Sequence, residues 1–150
     1  MDLEILGGFL KKVGNFSMKS YEKRLIFQKT VYFLQEFGVG FGYKFSWYIA
    51  GPYSPELAGD GFRLEAIYDK ARRVEMIEKK DQDSINSFLV FIEGIKNNAR
   101  QLELLASIDF LKKLGYSEDS MRTIVKAKVQ LFTDEEIDRG LRTLAERGPS

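Results

Sequence analysis

The chain has no cysteine and no histidine among its 150 residues. Without cysteine there can be no disulfide and no thiolate zinc site. Without histidine the chain lacks the commonest general base, the commonest metal ligand and every Ser-His or Cys-His nucleophile pair. No Gly-x-Gly-x-x-Gly or phosphate-loop pattern is present either. Most hydrolase and transferase mechanisms lose a working part on these absences, so the expectation is a non-enzymatic chain with no cofactor and no metal. An unorthodox site of Tyr, Lys and a carboxylate is the residual enzymatic reading. Only 3 prolines interrupt the chain, which allows long helices. Charge of one sign is also scarce: 23 basic against 22 acidic residues leave a net charge of +1. A dedicated nucleic-acid binder carries a clearer basic surplus. No apolar run approaches the roughly 20 residues that span a bilayer. The start, Met1-Asp2-Leu3-Glu4, is acidic where a secretory signal is basic. The expected location is the cytoplasm, away from membranes.

What is present is core-forming material. Hydrophobic residues make up 44% and charged residues 30%, with 12 Phe and 7 Tyr. That balance suits one globular domain, residues 1–150, around one core. Leu3, Leu6, Leu10 and Val13 fall at helical spacing, and Gly14-Asn15 ends that helix. Residues 20–37 form the strongest helix: Ile26, Phe27, Thr30, Val31, Leu34 and Phe37 make a wide apolar stripe, which Tyr32 and Phe33 extend. Gly38 is its natural stop. The period then changes to two over residues 43–49, where Tyr43, Phe45, Trp47 and Ile49 alternate with Lys44, Ser46 and Tyr48, a half-buried strand. Gly51-Pro52 breaks it, and Ser54 caps a following helix with Pro55 first and Glu56 in its first turn. Gly59 and Gly61 predict a kink or a second start in that helix. Residues 73–77 are the candidate second strand. The rest reads as helices: one carrying Ile85, Phe88, Leu89, Ile92 and Ile95 behind a cap at Asp83 or Ser84, one carrying Leu102, Leu105, Ile108 and Leu111, one capped by Ser117, and one opened by a Thr133/Glu136 capping box. The fold class is mainly α, a compact multi-helix domain with a small two-stranded antiparallel β element (α+β).

Gly51-Pro52-Tyr53-Ser54-Pro55-Glu56-Leu57 is the most distinctive segment. It is either rigid turn chemistry with a capped helix, or a shaped surface presenting Tyr53 beside Trp47 or Tyr48. Ser54 has no histidine to activate it as a nucleophile. Gln28 and Lys29 put a polar pair inside the most apolar helix. Lys29 either snorkels to the surface or meets a carboxylate such as Glu56 or Asp60 and ties the turn to the helix. Lys70, Arg72 and Arg73, Lys79 and Lys80, and Arg122, Lys126 and Lys128 are basic groups that suit a solvated face or phosphate contact. Asp134-Glu135-Glu136 is acid at a helix N-terminus.

Phe27-Gln28-Lys29-Thr30-Val31-Tyr32-Phe33 resembles the L-Q-K-L-L-Y-F helix of the Panacea domain, the SocA-like antitoxin family. Trp47-Tyr48-Ile49-Ala50-Gly51-Pro52 followed by Pro55-Glu56-Leu57 resembles that family's W-x-x-G-P-x-x-P-E-L element, in the same order and at the same gap. The form Gly-Pro-Tyr-Ser and the later segment 102–108 look closer still to the YwgA-like relatives. The resemblance covers residues 24 to about 64. It implies a small helical domain with a short β element and a non-enzymatic role through protein contacts, as an antitoxin or a proteolytic adaptor. The partner it implies is a protein, such as a cognate toxin; a second copy of the chain is a further candidate. The alternative is a winged-helix-like nucleic-acid-binding regulator whose recognition helix is residues 117–128.

Overall fold

The computed structural model describes residues 2–71 and 79–150. Seven α-helices and one two-stranded antiparallel sheet run in the order α1 (Leu3–Val13), α2 (Tyr21–Glu36), β1 (Ser46–Tyr48), β2 (Gly51–Tyr53), α3 (Pro55–Ile67), α4 (Lys79–Ile92), α5 (Ala99–Lys113), α6 (Glu118–Lys126) and α7 (Asp134–Arg147) among the described residues. A single 3-10 turn, Tyr68–Lys70, follows α3.

Helix starts follow cap chemistry. The side chains of Asp2, Ser20, Ser54, Asn98, Ser117 and Thr133 each accept from a backbone N–H of the turn they open. Thr133 and Glu136 complete the reciprocal capping box. Helix α4 runs from Lys79, so Asp83 and Ser84 lie inside it rather than capping it.

Two helices organise the core. Ile26, Phe33 and Leu34 of α2 pack with Phe88 and Ile92 of α4 and with Leu102 and Leu105 of α5. The opposite side of α2, Phe27 and Val31, packs with Leu6 and Leu10 of α1 and Leu57 and Leu64 of α3. The far side of α5, Leu104 and Ile108, meets Met121 and Val125 of α6 and Ile137 of α7. Each fully buried Leu, Ile or Phe contributes roughly 1.5–3 kcal/mol. Helix α2 is buried all round from Ile26 to Leu34, so the polar Gln28, Lys29 and Thr30 within that stretch must find partners inside the fold.

The sheet differs from the alternation pattern. Only Ser46–Tyr48 is strand, and its partner is Gly51–Tyr53, with Trp47 opposite Pro52 and Tyr48 opposite Gly51. Gly51-Pro52, expected as a strand breaker, is therefore strand. Proline is compatible here because the Pro52 carbonyl points away from β1 and towards α2. Its ring nitrogen faces that same outer edge, where no ladder N–H is required. Tyr43 is buried but not strand: its N–H and carbonyl are satisfied by the Gln35 side chain at 2.8 and 3.0 Å. The expected strand at residues 73–77 lies outside the described residues. Helix α3 runs unbroken through both glycines. A Cβ on Gly61 would sit 2.6 Å from the Phe27 ring and 2.7 Å from the Met18 methyl, so glycine there lets α3 lie close against α2.

Candidate partner-binding groove

The polar pair of α2 faces the hairpin. Gln28 uses both ends of its amide on one residue: Nε2 donates to the Ser54 carbonyl at 2.9 Å, and Oε1 accepts from the Ser54 N–H at 3.0 Å. The side chain thus pairs with the backbone as a neighbouring strand would. Lys29 is 1% exposed, and its Nζ donates to the Pro52 carbonyl at 2.6 Å. It neither snorkels nor meets Glu56 or Asp60. Asp60 instead accepts from the Tyr43 hydroxyl at 2.6 Å and from Arg63. Burial pushes the Asp60 carboxyl up, but those two donors outweigh it and hold it below its ordinary value.

A second lysine holds the other side of the turn. Lys128 donates from Nζ to the Ile49 carbonyl at 2.6 Å and lies 4.7 Å from the centre of the Trp47 ring. Glu103 of α5 stands 3.3 Å from the Lys128 ammonium, and both are nearly inaccessible. Burial lowers the Lys29 amine to about 7 from the usual lysine value; attraction to Glu103 resists the fall, and repulsion from Lys128 assists it. Burial raises the Glu103 carboxyl above its ordinary range, with Lys128 and Lys29 opposing. Burial also lowers Lys128, opposed by Glu103. Glu103 Oε2 and Ser107 Oγ, buried beneath the hairpin, make no hydrogen bond. Desolvating this triad is costly, and its return is a hairpin pinned from α2 and, through Lys128, from the segment after α6.

The pinned hairpin forms one wall of an open groove of about 310 Å³. Tyr48, Ile49, Ala50 and Tyr53 supply that wall; Tyr21, Arg24, Leu25 and Gln28 of α2 face it; Ala58 and Phe62 of α3 close the end; Met18, Phe27 and Lys29 line the rest. Tyr21 is 63% exposed, Tyr48 47%, Ile49 75% and Phe62 52%. The Tyr48 and Tyr53 rings pack 5.0 Å apart at a tilt.

The residues singled out in sequence do not all meet at one place. Gln28, Lys29, Tyr48 and Tyr53 line the groove. Pro52 and Ser54 supply the backbone that α2 grips, Gly51 lies against Ser107 of α5, and Ser54 also caps α3 by accepting from the Leu57 N–H at 3.2 Å. Tyr32, Trp47 and Leu57 point elsewhere. Tyr32 donates to Asp109 at 2.7 Å, Trp47 stacks on Phe110, and Leu57 is fully buried. Pro55 and Glu56 are exposed in the first turn of α3. Sequence reasoning missed Tyr21, Arg24, Leu25 and Phe62. Phe62 was findable, because it is out of phase with the buried positions Leu57 and Leu64. Glu103 carried a signal too, as a charge inside the apolar run Leu102 to Ile108.

The basic residues near α6 are committed internally. Arg122 pairs with Glu118, Asp134 and Asp138, Lys126 pairs with Asp134, and Lys128 is buried. The hairpin precedes α3 rather than following α6. No helix among the described residues is long and apolar enough to cross a membrane. No family model, no curated protein and no solved structure matches the chain.

Proposed function

We propose that the chain is a protein-interaction module that works by shape and contact, with its partner seated in the groove between α2, the hairpin and α3. The observation that carries this reading is the exposure of Tyr21, Tyr48, Ile49 and Phe62 around one groove. Exposed apolar side chains cost solubility unless something covers them, and when clustered they mark binding surfaces. Aromatic side chains are efficient interface anchors because they bury large area at low entropy cost. A wall pinned by two buried lysines and a glutamine amide is preorganised, which lowers the ordering cost of association. The likeness of residues 27–33 and 47–57 to the SocA-like antitoxin family supports the same reading, since it takes in Gln28, Lys29, Tyr48 and Tyr53 of the groove. Within it, the proposed role is that of an antitoxin or proteolytic adaptor, and the proposed partner is a cognate toxin.

The test is co-expression with the product of the neighbouring open reading frame, followed by affinity capture. Capture is expected with the native chain and is expected to fall at least tenfold with Phe62→Asp or Tyr48→Ala, each corresponding to about 1.4 kcal/mol or more. Both variants should keep the native circular dichroism and melting temperature, because both side chains are about half exposed. Capture by both variants at native strength would overturn the assignment to this groove.

A further inference from the structure

The groove is apolar but not uncharged. Its lining includes two cations, Arg24 and Lys29, and no Asp or Glu. The two cations are not equivalent. Lys29 is buried and its amine is spent on the Pro52 carbonyl. Arg24 is half-buried, and one guanidinium nitrogen donates to the Met18 carbonyl at 3.0 Å. That bond orients the fork, and no carboxylate among the described residues lies within ion-pair distance of it. The paired arginines nearby and elsewhere are unlike it: Arg63 has Asp60, Arg100 has Glu136, and Arg122 has three carboxylates. Arg24 also sits in the first turns of α2, where the helix dipole adds to its positive field.

We infer that the partner segment held in the groove carries a carboxylate beside an apolar side chain, and that Arg24 receives it. This rests on the groove being the docking site. A guanidinium presents parallel N–H donors that match a carboxylate in a two-point contact, and such charge-assisted bonds are about twice as strong as neutral ones. Tyr21, Leu25, Tyr48 and Phe62 take the apolar side chain, and Arg24 fixes its register. The occupant is therefore a short stretch of a partner protein in which an aromatic or aliphatic residue adjoins Asp or Glu.

Two acetylated and amidated peptides of Gly-Ser flanks test this, one with Phe-Glu at its centre and the other with Phe-Gln. Each is titrated into the isotope-labelled chain and followed by amide chemical shifts of the groove residues. The Phe-Glu peptide should bind about fivefold more tightly, and the preference should shrink in about 0.5 M salt, where the Debye length is only a few ångströms. Arg24→Gln should erase the preference and Arg24→Lys should keep part of it, while Phe62→Asp should abolish binding of both peptides. Equal affinity of the two peptides, or a preference that survives Arg24→Gln, overturns the role of Arg24 yet leaves the groove standing if Phe62→Asp still abolishes binding. Absence of any groove shift with either peptide at about 5 mM, or binding indifferent to Phe62→Asp, overturns both.

Discussion

Gly51 shows how much one position can carry. Its φ is +89°, in the region where side chains are strained, and a Cβ there would lie 2.5 Å from Ser107 Oγ and 3.7 Å from its Cβ. The hairpin can approach α5 only because that Cβ is missing. Gly51→Ala should therefore destabilise the fold by about 2–3 kcal/mol, part from backbone strain and part from the collision. Removing the hydroxyl separates the two, because the remaining Ser107 Cβ is at an ordinary distance. In a Ser107→Ala background the same glycine substitution should cost only about 1–2 kcal/mol. Urea unfolding of the four proteins measures the cycle. Equal costs in both backgrounds would show that Ser107 does not set the constraint. The dipeptide Gly-Pro was visible in sequence as a turn; the need for glycine was not, since Ser107 lies far along the chain and reaches Gly51 only in the folded state.

At the scale of the element, the β1–β2 hairpin is a small sheet that its own hydrogen bonds would not hold. Gln28, Lys29 and Lys128 hold it through its carbonyls and the Ser54 N–H. The ammonium of Lys29 makes this clamp depend on pH, and the direction follows from linkage. In the unfolded chain Lys29 keeps its proton up to about 10.5, and in the folded chain only to about 7. Between those values the unfolded state binds the extra proton, so stability rises with pH and is lost again as pH falls towards 7. The groups facing Lys29 are Glu103 and Lys128, with Arg100 acting on Glu103. Lys128, also lowered, works in the same direction. Unfolding free energy should rise by about 2 kcal/mol between pH 7 and 9, at 1.4 kcal/mol per unit of difference. Lys29→Met should flatten most of that rise, as measured by urea titrations across the range. A slope unchanged in the variant would place the proton on another group. Gln28 and Lys29 announced this element in sequence as polar residues in an apolar helix. Their partners were not legible, because a backbone carbonyl has no signature in sequence.

Across the whole molecule, α2 and α5 bind the three apolar clusters into one body. The interface between them carries a second titrating site. Tyr32 of α2 donates to Asp109 of α5, with Glu36 and Lys113 beside them. Burial, the hydrogen bond that protonated Asp109 donates to Glu36 and repulsion from the Glu36 charge raise the Asp109 carboxyl to about 7, against the donor from Tyr32. Its folded value lies above its unfolded value, so its contribution is complete below about 3.8 and is lost as pH rises through 7. Lys29 acts with the opposite slope above 7. Global stability should therefore pass through a shallow minimum near neutral pH. Asp109→Asn should flatten the acid side, by at least about 1 kcal/mol between pH 5 and 7, and leave the alkaline side intact. Fluorescence of Trp47, the single tryptophan, and far-ultraviolet dichroism should report the same transition at each pH if the body unfolds as one unit. A profile that rises steadily from pH 5 to 9 would count against the Asp109 assignment, and one that falls steadily would count against that of Lys29.

Local chemistry was enough to place most of the helices, though not the start of α4 or the unbroken course of α3. Cap residues, apolar periodicity and glycine stops act over a few residues, and the sequence by itself located α2, the Ser54 and Ser117 caps and the Thr133/Glu136 box. It also located half of the groove wall, through Tyr48 and Tyr53. Tertiary structure alone decided which residues meet. Strand pairing went to Gly51–Tyr53 because the two segments adjoin and α2 can satisfy the outer edge. Lys29 went to a carbonyl and to the field of Glu103 rather than to Glu56 or Asp60, because α5 packs against that face of α2. The groove arose because Tyr21, Leu25 and Phe62 lie on faces that no other element among the described residues covers. Such partnerships depend on distance in space, and a pattern of spacings along the chain does not encode it.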